Sequence, residues 1–506
     1  MHSNRFDRLE SPLPALADFK AACSITTHRV ERVVSMLKNV SSFRCCLRWL
    51  LVTAISINLT ACDGTSETGN DTESHLEQAS SRTLAEIRKS GRLVVATRNA
   101  PSVWYIDRHD EPAGPEHALT QSFADWLGVE IDYQVEATVT GVLAAIDQGK
   151  ADLAAAGLTI TPDRQKHYRF SKPYMDVTQQ IVCRRDRVQP EEISDLPGLD
   201  IHVIANSSYS ATLQRYQQDK YPELTWSETD TATTEQLLHQ VWQGEFDCTI
   251  ADSNIVDINR RYYPELIAPL NLRRAEQLGW LLPKSARKLA SAVNRWLKEF
   301  EAADELNAWQ DRYYGFFEVF DFVDIRAYIR RIDERFPQYR DDFREAAEEY
   351  HLPFTLLAAQ GYQESHWNAR AKSPTGVRGI MMLTRNTAKA MGVENRLDPK
   401  QSIFGGAKYL ARMKQRFVDD VTEPDRTWLA LAAYNVGRAH LHDAQILARK
   451  QNKNPHLWRD VRQVLPLLAD KRYYPDLKHG YARGTEPVRY VRRIREYQHV
   501  LNGEKP

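Results

Sequence analysis

Cysteine is scarce: there are six in 506 residues, and Cys23, Cys45 and Cys46 fall within the first 61 positions. The three that remain, Cys62, Cys183 and Cys248, are too few for a disulfide framework. A Cys183–Cys248 bridge is compatible with an oxidising compartment, but two separate buried thiols are expected. Long apolar runs are missing as well. Trp49–Ala61 is the only one of note, and its 13 residues fall short of the roughly 20 that a spanning helix needs. His440 and His442 stand two apart, and neither a His-Glu-x-x-His string nor a phosphate-cradling glycine loop occurs, so no metal or cofactor is expected. Net charge is absent too, with 67 Lys+Arg against 67 Asp+Glu. At 42% hydrophobic and 26% charged residues the chain is globular, not disordered or coiled-coil, and its length suits two to four domains.

The zero charge is a cancellation. Residues 84–315 carry net −9 and residues 316–506 net +9. Such asymmetry bears on partners rather than on fold. Residues 1–61 read as a secretory leader: Arg44 and Arg48 precede the apolar run, which ends in small residues. Leu59-Thr60-Ala61-Cys62 resembles a bacterial lipoprotein box, which makes Cys62 the expected lipidation site. An ordinary leader would begin at Met36, so residues 1–35 read as a start-site artefact. Residues 62–83, acidic and nearly without apolar side chains, read as a flexible tether. The expected location is the periplasmic face of the envelope; Asp63 after Cys62 favours the inner membrane in some bacteria, whereas the family resemblance carried by the later residues implies association with the outer one.

Between 84 and 315, short β-rich runs alternate with helical patterns, as in α/β units on parallel sheets. Arg92–Thr97, Val129–Val135 and Ala151–Leu158 read as strands, and Leu119–Leu127 and Gly141–Gln148 as helices. The strings GRLVVATR (91–98), IDQGKADLAAAGLTITPDRQKHYRFSKPYM (146–175) and FDCTIADSN (246–254) are similar to the polar-amino-acid family of bacterial solute-binding proteins. That resemblance implies a two-lobed periplasmic-binding-protein-like domain. It implies that Arg164 takes a ligand carboxylate, assisted by Thr159, and that Asp252 receives an ammonium. A bidentate guanidinium suits the first task. Ala205–Tyr209 departs from the family's Gly-Ser/Thr turn, which leaves a small amino acid or a wall-derived muropeptide as the regulatory ligand. The lobes are expected to meet near Cys183–Arg185 and Arg273–Leu278.

Beyond Gly315 the strand pattern gives way to helical periodicity, so an all-α domain is expected over 316–506. Helices are expected at Ile325–Phe336, Tyr339–Tyr350, Pro353–His366, Ile403–Phe417 and Trp428–Tyr434. Leu356, Gln360 and Glu364 form one helical stripe. Glu364 therefore points inward near a helix end, where apolar surroundings raise a carboxyl pKa and suit it to general acid work. QESHWNARAKSPTGVRGIMMLTRNTA (363–388) followed by ALAAYNVG (430–437) resembles the lysozyme-like domain of lytic transglycosylases. Both modules together, with Met381-Met382 where Met-Gln is common, resemble one membrane-bound branch of that family.

The resemblance implies cleavage of peptidoglycan between N-acetylmuramic acid and N-acetylglucosamine, leaving a 1,6-anhydro product. Glu364 would serve as acid and then base, Ser373 as a partner of the N-acetyl carbonyl, Tyr434 as a brace for Glu364, and Met382 and Asn435 as sugar contacts. Ordinary glycosidases flank the scissile bond with two carboxylates, yet no Asp or Glu occurs between Glu364 and Glu394. That gap favours a route assisted by the substrate's own N-acetyl group. Basic and aromatic residues crowd 471–506, where helix packing and attraction to anionic wall peptides are expected rather than nucleic acid binding. The alternative is a receptor for amino acids or muropeptides whose helical domain only holds peptidoglycan.

Overall fold

The computed structural model describes residues 81–503 apart from 108–109, 273–274, 318 and 375. The leader and Cys62 lie outside the described residues. Among the described residues no helix is long and apolar enough to cross a membrane.

Residues 92–283 fold as two α/β lobes. The first holds a five-stranded sheet in the order Glu130–Glu136, Arg92–Arg98, Leu153–Ala154, Leu281–Pro283, Tyr168–Phe170. Its first three strands run parallel and the last two are joined antiparallel. The second orders Ser227–Thr229, Ile201–Ile204, Cys248–Asp252, Gln179–Arg184, Leu266–Asn271. Helices Pro115–Leu127 and Val139–Asp147 begin just before the expected positions. The expected strand Ala151–Leu158 shrinks to Leu153–Ala154, after which Gly157 takes φ +64° and Thr159 bridges to Leu278.

Two expectations need correction. The lobes join where Met175–Val177 pairs antiparallel with Glu276–Leu278. The outward crossing therefore lies eight residues before Cys183–Arg185, which belongs to the central strand pair of the second sheet. Cys183 and Cys248 are also not separate thiols. They sit directly opposite on antiparallel strands with Cα atoms 4.4 Å apart, and they form a disulfide. Facing strands bring such a pair within bridging reach, which residue spacing alone does not reveal.

Residues 316–503 are helical, built from Phe322–Glu334, Arg340–Glu349, Phe354–Ser365, Arg385–Met391, Pro399–Gln415, Asp425–Val436, Arg438–Lys450, Trp458–Val464 and Thr485–Asn502. Phe354–Ser365 runs through the middle, and every residue from Thr355 to Tyr362 is buried. The segment after it turns back under two glycines. Gly379 has φ +85°, and a Cβ there would lie 1.8 Å from the Arg396 carbonyl oxygen. A Cβ on Gly406 would lie 2.7 Å from Met381, so only glycine admits the buried Met381 against that helix.

The last helix also ties the helical domain to the second lobe. Arg261, fully buried, donates from Nε to Glu496 at 3.0 Å and from Nη2 to the Phe317 carbonyl at 3.1 Å. Burial raises the pKa of Glu496, against the pull of Arg261. A buried ion pair is costly to break from one side, by about 3–5 kcal/mol, because a lone charge stays behind. Glu496→Gln is therefore expected to lower the denaturant midpoint of the helical domain clearly. An unchanged midpoint would contradict this role for the pair.

Candidate active site

Glu364 stands in the last turn of Phe354–Ser365. The helix stops abruptly: His366 and Trp367 both take left-handed conformations, with φ near 53°. Such backbone is uncommon for bulky residues and persists only where the surroundings hold it. Here Trp367, 1% exposed, donates from its indole to the Ala358 carbonyl and stacks on Phe336. Ser365 fixes the other side, donating to the Ile380 carbonyl at 2.8 Å.

The Glu364 carboxyl is raised to about 8, because burial disfavours its charged form. One hydrogen bond opposes the shift: the Tyr490 hydroxyl donates to Glu364 Oε1 at 2.5 Å. Gln360 Nε2 in turn donates to the Tyr490 oxygen at 3.2 Å. With that oxygen accepting from Gln360, the Tyr490 proton goes to Oε1 and the carboxyl's own proton sits on Oε2. No second carboxylate contributes to the shift. Asp398 caps the helix Pro399–Gln415, and Asp443 accepts from the His479 backbone N–H at 2.9 Å.

Tyr434 does not supply the hydrogen bond expected of it. Its hydroxyl donates to the Met381 carbonyl at 2.9 Å, bracing the returning segment, while its ring lies near enough to feel the Glu364 charge. Tyr490 does the bracing instead, from 126 positions away. Only its place in a basic, aromatic C-terminal stretch hinted at it. Ser373 sits on the turn before Gly376, its hydroxyl accepting from the Val377 N–H at 3.2 Å. Met382, half-buried with φ 47°, follows the buried Met381, and Asn435 is exposed at the end of Asp425–Val436.

The second candidate site lies between the lobes. Arg164 donates to the carbonyls of Thr159 (3.1 Å) and Asn206 (3.3 Å), the latter across the cleft. The Ser208 hydroxyl reaches Thr159 Oγ1 at 3.4 Å. Asp252, 3% exposed, is pushed up to about 7 by burial and by Glu276, with Tyr209, Arg164 and Arg98 pulling the other way. Its Oδ1 is buried without a hydrogen-bond partner, an arrangement that a cationic donor would complete. Thr159, Arg164 and Asp252 thus come together. Among the described residues no three His, Cys, Asp or Glu side chains converge as metal ligands would.

Residues 92–316 match the family described as bacterial extracellular solute-binding proteins, family 3, and residues 341–457 match the transglycosylase SLT domain. Membrane-bound lytic murein transglycosylase F 2 of Alkalilimnicola ehrlichii is 47% identical over 414 residues, covering 82% of this chain and 92% of that protein. Membrane-bound lytic murein transglycosylase F of Pseudomonas fluorescens is 41% identical over 458 residues, covering 90% and 91%. Among solved structures, a mutant ArgBP from T. maritima aligns with 46% of this chain and 99% of its own, at 24% identity and a TM-score of 0.42.

The raised carboxyl makes a stability prediction with a definite sign. In the unfolded chain Glu364 ionises near 4.5 and in the folded chain near 8. Between those values the unfolded state holds fewer protons, so this group's contribution to stability falls as pH rises and levels off above about 8. Glu364→Gln is expected to melt higher than the native chain at about pH 9, the gain vanishing near pH 4. Melting curves offset equally at both pH values would refute it.

Proposed function

Because the chain belongs to the membrane-bound lytic murein transglycosylase F family, and so is a peptidoglycan lytic transglycosylase, we propose that Glu364 is its single proton-transfer group. The observation that carries the reading is a lone half-buried carboxyl whose pKa is raised to about 8 and which accepts a hydrogen bond from one neutral tyrosine. A group whose pKa lies near the working pH serves both directions of proton transfer.

The proton on Oε2 goes to the glycosidic oxygen as the bond from the muramic acid C1 breaks. The substrate's N-acetyl oxygen stabilises the cation at C1, a task that a second carboxylate performs in ordinary glycosidases. The Glu364 carboxylate then takes the proton of the muramic acid C6 hydroxyl, whose oxygen closes onto C1 to give the 1,6-anhydro ring. Protons balance, no water is consumed, and the enzyme ends as it began. Ser373 and Asn435 serve the sugar amide groups, while Tyr434 holds Met381 and Met382 in line through the Met381 carbonyl.

Glu364→Gln is expected to lower release of anhydro-muropeptides from purified murein by about 10²–10⁴, the usual worth of a general acid–base group. Tyr490→Phe removes the one interaction that favours the charged form, so the alkaline limb of the pH–rate profile is expected to move upward. Undiminished release by Glu364→Gln would sink the assignment, and products with free reducing ends would indicate hydrolysis.

The N-terminal module is read as a regulatory receptor for a small amino acid or muropeptide, its carboxylate on Arg164 with Thr159 assisting and its ammonium on Asp252. Lipidation at Cys62 would anchor the chain at the periplasmic face, at the outer membrane. Binding of an ammonium requires ionised Asp252, whose pKa near 7 makes affinity fall as pH drops below that value. Titration calorimetry with amino acids and soluble murein peptides at about pH 8 and pH 5.5 is expected to show weakening by up to about tenfold per pH unit. Asp252→Asn should abolish that dependence. A pH-independent affinity in the native protein would exclude Asp252 as the ammonium partner.

A further inference from the structure

Beside the catalytic segment lies a cavity of about 330 Å³ lined by Gly376, Arg378, Thr384, Arg385, Asn386 and Arg396. Its walls include Gly376 and Arg378, on the turn that follows Ser373, and Thr384, Arg385 and Asn386, just after Met382, so it borders the segment to which the sugar contacts are assigned. Arg378 is bridged to Leu383 across the turn. Arg396 donates from Nη1 to the carbonyls of Gly376 and Leu383, both at 2.9 Å, and so staples the turn shut while presenting its charge there.

Three guanidinium groups at one cavity repel one another. Burial, together with the charges of Arg378 and Arg385, holds Arg396 below its ordinary range. Among the described residues none of the three makes an ion pair. Residues 365–393 contain five Lys or Arg and no Asp or Glu. The stretch that offers Glu364 no partner acid thus offers Arg378 and Arg385 none either, and no carboxylate contributes to the shift of Arg396.

A cluster of this kind is suited to a carboxylate-bearing ligand, since each guanidinium offers paired N–H donors in the plane of a carboxylate. We propose that this arginine-lined cavity is a subsite for the stem peptide of the substrate, taking its free carboxylates while the glycan lies over Glu364. The inference rests on the peptidoglycan reading above. The stem peptide leaves the sugar at the lactyl group of muramic acid, the residue whose C1 is attacked, so a peptide-binding cavity must adjoin the scissile bond. The cavity's position beside Ser373 and Met382 meets that demand. The volume is at the lower end of what small-ligand pockets offer, enough for part of a peptide but not for a second glycan strand.

The test compares glycan strands bearing stem peptides with the same strands stripped by an amidase. The Arg378→Ala/Arg385→Ala double variant leaves the Arg396 staple in place. Its KM for peptide-bearing strands is expected to rise about tenfold with kcat nearly unchanged, and its KM for stripped strands to match the native enzyme. Charge reversal at exposed Arg385, Arg385→Glu, provides a second variant with little risk to folding and should act on the same substrate only. Equal changes on both substrates, or none on either, would overturn the proposal. So would loss of binding to phosphatidylglycerol vesicles with turnover of both substrates intact, which would assign the cavity to a lipid headgroup. Co-sedimentation of Glu364→Gln protein with intact and amidase-treated sacculi, with and without the arginine substitutions, reads the subsite without turnover. It therefore separates failure of the subsite from failure of the catalytic assignment: arginine-dependent binding to intact sacculi alone supports the subsite, and its absence overturns it.

Discussion

The hydrogen bond from Tyr490 to Glu364 is the contact on which the arrangement around this carboxyl turns. Burial alone would keep the carboxyl protonated, and a cationic neighbour would hold it ionised. A neutral hydroxyl donor gives an intermediate outcome, a carboxyl near 8 that can release and recover a proton at ordinary pH. It also distinguishes the two oxygens, since Oε1 is occupied and Oε2 carries the exchangeable proton. Gln360 supports Tyr490 from one turn before Glu364 on the same helix. Donor, acceptor and support are therefore fixed by two packed helices rather than by loops, the arrangement that holds reacting groups most firmly.

The helix that presents Tyr490 has a second set of partners. Glu496, six positions on, pairs with Arg261, and His499 meets Tyr262 at 3.2 Å. Burial pushes His499 down to about 4, so its ring is neutral at physiological pH and costs no charge in the interface. One helix thus touches both the Glu364 carboxyl and the second lobe. Any movement of that lobe which shifts Arg261 acts on a helix whose other face positions Tyr490. Arg261 and Tyr490 are thus joined through one packed helix, which moves as a body rather than bending at each residue.

Much of this was legible beforehand, for identifiable reasons. The two-domain order, the inward stripe of Leu356, Gln360 and Glu364, and the convergence of Thr159, Arg164 and Asp252 follow from local periodicity and from strings with fixed spacing. Helix boundaries moved by only a few residues, as fraying and capping ordinarily allow. What was illegible came from pairings across long separations. Tyr490 lies more than a hundred positions from Glu364, and nothing in its own neighbourhood distinguishes it from Tyr497, which packs in the core. The Cys183–Cys248 bridge depends on strand register, which no count of thiols supplies. The first lobe crossing was misplaced: Gln179–Arg184 is an inner strand of the second sheet, and the crossing precedes it.

The opposed charges of the two halves acquire a different meaning from the one composition suggested. Part of the asymmetry is spent inside the molecule. Asp304 and Asp311 of the acidic half meet Arg459, Arg462 and Arg495 of the basic half, and Glu265 faces Arg326. Those partners range from buried to exposed, and exposed pairs contribute little each, so their main effect is on which surfaces face one another. The most deeply buried pair reverses the pattern: Arg261 comes from the acidic half and Glu496 from the basic one. A single desolvated pair of opposite polarity thus joins the halves, and a charge buried there is costly to leave without its partner. Arg378, Arg385 and Arg396 line one cavity, and among the described residues none of the three forms an ion pair. The positive excess of the basic half is therefore not evenly spread, since three of its arginines gather at one cavity with no acidic side chain in its lining.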